Sequence, residues 1–116
     1  MTDKKLKERL DFIEFRQELL FINDRFSRLM FQNAVTRSQY DELIELFESY
    51  LYEVENGGTI SNSKYESRVY EILPNHKYDY HFAESIALEL HKDGMYEGVF
   101  EALYGDSLKY KSYLEK

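Results

Sequence analysis

At 116 residues and 14.0 kDa, with 43% hydrophobic residues, the chain has the size of one domain, 1–116, built around a single core. Its 22 acidic against 15 basic residues leave a net charge of -7, which argues against a direct nucleic-acid partner and against an anionic membrane surface. The absence of cysteine excludes disulfides, thiolate nucleophiles and cysteine-held zinc. The opening MTDKKLKERL reads as helix rather than signal peptide, so a soluble cytoplasmic protein is expected.

The apolar period is 3.6 almost throughout, and the single proline and most of the five glycines fall at breaks between helical patterns. The fold class expected is therefore all-α, five to seven helices with a long N-terminal helix. That first helix should run from Asp3 to about Ile22, and it carries two apolar stripes. Leu6, Leu10, Ile13, Gln17 and Leu20 follow a 4-3-4-3 spacing, whereas Phe12, Phe15, Leu19 and Ile22 continue toward Phe26 and Leu29. At ~100° per residue the stripes lie on nearly opposite sides of the cylinder.

Such a helix needs cover on both sides. At roughly 2 kcal/mol for each full burial, leaving the six residues of the second stripe wet would forfeit about 12 kcal/mol. That is comparable to the net stability of a whole domain. Because a small domain seldom encloses a long helix, the expectation is that one stripe meets another chain, with Gln17 placed to fix register in the seam.

Asn23-Asp24 caps a second helix, Arg25–Asn33, or kinks one long helix. Thr36-Arg37-Ser38-Gln39 fits a capping box for a third helix over Arg37–Glu55, which should bury Tyr40, Leu43, Ile44, Phe47, Tyr50, Leu51 and Val54 and stop at Asn56-Gly57-Gly58. Ser63-Lys64-Tyr65-Glu66 matches a second capping box, opening a helix with Tyr65, Val69, Ile72 and Leu73 that ends before Pro74. A fifth helix is capped by Asp79 and ends at Gly94, a sixth spans Met95–Tyr104, and the tail DSLKYKSYLEK adds a last turn or two.

The fifth helix raises the question of chemistry. Its inner face is Phe82, Ala83, Ile86, Ala87 and Leu90, while His81, Glu84, Leu88 and His91 lie roughly opposite. His81 and His91 are ten residues apart, about 15 Å along the axis, too far to share one ion. His81 with Glu84 supplies two ligands of a metal site, but neither Glu-x-x-His nor His-Glu-x-x-His occurs. A solvated outer face is the favoured reading. No catalytic motif, cofactor fingerprint or metal set is identified, so no cofactor and no enzymatic activity are expected.

Charge is distributed unevenly. Between Ser38 and Asn56 lie Asp41, Glu42, Glu45, Glu48, Glu53 and Glu55 with no basic residue, whereas residues 1–37 carry a small basic excess. The simplest reading is solvated helix faces; the functional one is an acidic surface for a basic partner.

Several pieces in order resemble the YhaI-like family, small helical proteins of unknown function from Gram-positive bacteria: ERLDF (Glu8–Phe12), DYH (Asp79–His81), Ala87-Leu88 and GMYEGVFEAL (Gly94–Leu103). The resemblance implies an all-α subunit entwined in a homo-oligomer, and it supplies no activity or catalytic residues.

The leading expectation is thus a non-enzymatic protein that associates with itself, as a dimer or trimer, through Leu6, Leu10, Ile13, Gln17 and Leu20. The alternative is an acidic inhibitor, of a phage or mobile-element type, that occludes a basic nucleic-acid-binding protein. A metal-dependent activity at His81 and Glu84 is the second alternative.

Overall fold

The computed structural model describes residues 3–107 and 109–110. These form α1 (Asp3–Ile22), α2 (Arg25–Gln32), α3 (Arg37–Glu55), α4 (Asn62–Ile72), a 3-10 turn at Pro74–His76, α5 (Tyr80–Lys92) and α6 (Val99–Tyr104). The described residues contain no strand, so the all-α expectation holds.

The helix boundaries follow from local chemistry. Asn23 adopts φ +53° and ends α1, so the chain turns sharply here and does not run on as one long helix. Asp24 then caps α2 by accepting the Ser27 N–H at 2.7 Å. Both halves of the capping box at α3 are made: the Gln39 N–H donates to the Thr36 hydroxyl at 3.2 Å, and the Thr36 N–H donates to the Gln39 side chain at 3.0 Å. Gly57 and Gly94 take left-handed φ after α3 and α5, allowing the following N–H to reach back to Glu53 and Leu90 carbonyls.

Three boundaries depart from the sequence reading. α4 starts two residues earlier than the Ser63-Lys64-Tyr65-Glu66 pattern implied, because Ser61 is the cap: its hydroxyl accepts the Lys64 N–H and its carbonyl accepts the Tyr65 N–H. α6 starts at Val99 rather than Met95, since Tyr96 (φ +53°) and Gly98 (φ +91°) are left-handed and interrupt the helix. The Tyr96 ring turns inward against Phe47, with centroids 5.6 Å apart. The second helix stops at Gln32, with Asn33 as its cap. Of the expected tail turns, Lys109 and Tyr110 are helical, while the remainder at Leu108 and 111–116 lies outside the described residues.

Aromatic rings fill the core where α3, α4, α5 and α6 meet. Tyr65 is fully buried, its hydroxyl donating to the Ala83 carbonyl at 2.7 Å, with Phe47 and Tyr104 edge-on to its ring. The expected inner face of α5 is buried throughout. On α3, Leu43 and Phe47 are buried as expected. Leu46 is buried as well, whereas Tyr40, Ile44, Tyr50, Leu51 and Val54 are only half-buried, because α3 is an outer helix with one side to solvent.

α2 bridges α1 to this core by packing against α5. Its first turn is held by a carboxylate from a distant part of the chain: Asp93 accepts the Arg25 N–H at 3.1 Å and the Phe26 N–H at 2.9 Å. Together Asp24 and Asp93 satisfy three of the donors that a helix start leaves open. α1 lies outside, its long axis extending the molecule to 52 × 26 × 25 Å. The radius of gyration, 15.5 Å, exceeds the roughly 13 Å of a compact chain of this length.

Replacing Asp93 by Ala is expected to destabilise the fold by about 1–3 kcal/mol, with Asp93→Asn intermediate. Urea unfolding followed by helical circular dichroism checks this.

Candidate functional site

α1 is anchored on one side. Phe15 and Leu19 are buried, Phe12 is half-buried, and the Phe15 ring meets Tyr40 of α3 edge-on at 5.4 Å. Phe26 and Leu29 continue this inward face from α2 even though the helix itself breaks between them and α1. Ile22 does not: it is exposed, because the left-handed Asn23 turns the chain away before its side chain can be covered.

Two arginines fix the angle of attachment. Arg16 donates to the Phe31 carbonyl at 3.0 Å, with its guanidinium carbon 3.8 Å from the Phe31 ring centroid. Arg37, at the start of α3, pairs with Glu18 at 2.8 Å and with Asp11 at 3.3 Å, and it stands over the Phe15 ring. The two carboxylates raise the Arg37 pKa, the Glu18 hydrogen bond being the largest cause.

The opposite side of α1 is bare. Leu6, Leu10, Ile13 and Leu20 are 49%, 51%, 50% and 54% exposed, and Gln17 between them is exposed as well. Every residue from Asp3 to Asp11 is exposed, so the first half of the helix projects past the body. Phe21, 93% exposed beside Leu20, enlarges the stripe. Its position between the two sequence stripes hid it, although its helical angle, ~60° from Leu6 at 100° per residue, places it on the margin of the first. The result is an apolar strip about 22 Å long at 1.5 Å per residue.

The acidic residues expected on α3, Asp41, Glu42, Glu45, Glu48, Glu53 and Glu55, are all exposed, and among the described residues none forms an ion pair.

The outer side of α5 differs from the solvated face expected. Glu84 is only 13% exposed in its side chain, because Tyr110 folds over it: the Tyr110 hydroxyl donates to the Glu84 carboxylate at 3.0 Å, and Lys109 adds an ammonium at 3.1 Å. This contact spans 26 residues, which helical periodicity does not report. His81 is exposed with its ring against Tyr80, and His91 stacks on Phe100. Among the described residues no three His, Asp or Glu side chains converge as a metal site would require.

Among the described residues, the buried titratable side chains include Tyr65, Tyr104 and Tyr110. Tyr104 donates to the Glu66 carboxylate at 2.7 Å, and burial, then that hydrogen bond, push its pKa well above the ordinary 10.0. Burial raises Tyr65 similarly. No described helix is long and apolar enough to cross a membrane.

No protein-family model matches the chain, no curated protein is significantly similar to it, and no solved structure matches it.

Raised tyrosine pKa values stabilise the fold while the unfolded tyrosines remain neutral, and that contribution is lost as pH rises past about 10. The urea midpoint is therefore expected to fall above this pH, and Tyr104→Phe to show a shallower fall, measured by urea titrations across the alkaline range.

Proposed function

We propose that this protein is a non-enzymatic self-associating helical protein whose α1 is its interface. The observation that carries this reading is the bare strip of Leu6, Leu10, Ile13 and Leu20 on a helix whose other side is already buried in its own subunit. A helix that fills both roles presents a preformed, rigid surface, so association requires no new helix nucleation.

The magnitudes suit a modest oligomer. Covering four half-exposed aliphatic side chains stabilises by roughly 1 kcal/mol each, and covering Phe21 by about 2 kcal/mol. Two such strips together give about 12 kcal/mol, against an association cost in the range of roughly 4–15 kcal/mol. With a cost of about 4 kcal/mol, the low end of that range, the dissociation constant is about micromolar. The resemblance to YhaI-like proteins points the same way, to subunits whose helices entwine in a homo-oligomer.

The second reading, an acidic inhibitor of a basic nucleic-acid-binding protein, is favoured by one observation: the six carboxylates of α3 face solvent together with no cation paired to them among the described residues. The two readings use different helices and are separable by mutation.

Light scattering at tens of micromolar is expected to give a multiple of 14.0 kDa. Leu10→Asp or Ile13→Asp is expected to reduce it to the monomer mass with an unchanged helical spectrum, because both residues lie outside the subunit core. A wild-type monomer at that concentration would refute the reading. Reversing Glu42 and Glu45 to Lys leaves the oligomer intact and removes only binding that depends on the acidic face.

A further inference from the structure

The charges beside the bare strip, and the one polar residue inside it, fix how two copies of α1 meet. In the heptad frame Leu6, Ile13 and Leu20 occupy d positions and Leu10 and Gln17 occupy a positions. Arg9 and Arg16 then flank the seam on one side at g, and Lys7, Glu14 and Phe21 on the other at e.

Parallel, in-register helices bring each g residue toward the e residue five places on in the partner. Arg9 then meets Glu14 of the partner subunit, twice by symmetry, while Arg16 stays on Phe31 of its own subunit. Antiparallel helices bring g toward g and e toward e. That order brings Arg9 toward the g position of Arg16 of the partner subunit, whose guanidinium is held on its own Phe31 but keeps its charge at the seam's edge, a like-charge approach made twice that offsets part of the gain from Lys7 and Glu14. In the monomer Arg9 and Glu14 are both exposed, and neither forms an ion pair with another described residue, so each is free to pair across the seam.

Gln17 gives the same answer independently. In parallel register its amide faces Gln17 of the partner subunit, and two amides satisfy one another. The layers of an antiparallel seam pair a with d, which sets Gln17 against a leucine or isoleucine and leaves a buried amide without a partner.

We infer that α1 pairs with α1 of a second copy in parallel and in register, with Gln17 opposite Gln17 and Arg9 opposite Glu14. This rests on the self-association proposed above and adds its direction. Both subunit bodies then sit at the same end of the pair, and the exposed first turns of both helices emerge together at the other.

The 116 residues include no cysteine, so single-thiol variants report the register directly. Gln17→Cys is expected to form a disulfide-linked dimer on mild oxidation, and a mixture of Leu6→Cys with Gln17→Cys is expected to yield few mixed dimers. Abundant mixed dimers with little linkage between the two position-17 thiols would mean an antiparallel seam and overturn the inference while leaving self-association standing. Oligomers by light scattering with no cross-link from either variant would place the contact elsewhere and overturn both.

Charge reversal supplies a second readout on an exposed residue that the fold does not need. Arg9→Glu is expected to weaken association about tenfold, two attractive pairs having become repulsive, and mixing it with Glu14→Arg is expected to restore binding through a heterodimer. Tighter association of Arg9→Glu is the antiparallel outcome, since the introduced carboxylate would then face Arg16 of the partner subunit, and it overturns the proposal.

Discussion

The arrangement of this molecule depends on the division of the apolar residues of α1 between two opposed sides of one cylinder. Phe15 and Leu19 commit one side to the subunit's own core, through Tyr40 and α2. Once that side is committed, the geometry of the helix carries Leu6, Leu10, Ile13 and Leu20 outward, and no choice of rotamer returns them. Arg16 and Arg37 then hold the rotation of the helix by contacts with Phe31, Glu18 and Asp11. The exposed strip is thus a direct result of how the other strip is buried.

The rest of the subunit is built without α1. Tyr65, Phe47, Phe100 and Tyr104 lock α3, α4, α5 and α6 together, and Asp93 fastens the start of α2 to the end of α5. Placing polar tips on buried rings works here because each tip has a defined acceptor, the Ala83 carbonyl for Tyr65 and the Glu66 carboxylate for Tyr104. Replacing part of an aliphatic core by tyrosine costs little when those partners exist, and the same hydrogen bonds tie α4 to α5 and to α6.

Much of this was legible from residue order. The bounds of α1 and α3 follow from periodicity with a capping box or a stop, and the inner face of α5 follows from spacing alone. What escaped was decided at long range. The apolar rhythm of Tyr96, Val99, Phe100 and Leu103 suggests a helix from Met95, yet Tyr96 is drawn to Phe47 and Gly98 unwinds the chain. Two serines compete to begin α4, and the earlier prevails by extending the helix. Glu84 looked solvent-facing because nothing near it in sequence announces Tyr110. For the candidate site, the stripe itself was visible, whereas Phe21 and the bareness of the first turns depend on where the body stops.

The overhang of α1 has a mechanical side. Asn23 forms an elbow, and beyond it stretches an arm of about 30 Å, held by Arg37 at Asp11 and by packing from Phe12 onward, with its first turns exposed. A pivot of ~5° at that elbow sweeps the far tip through roughly 2.5 Å over this length. Minor adjustments in the seating of Phe15 and Leu19 are therefore magnified at Leu6, and two arms laid side by side brace each other against such swing.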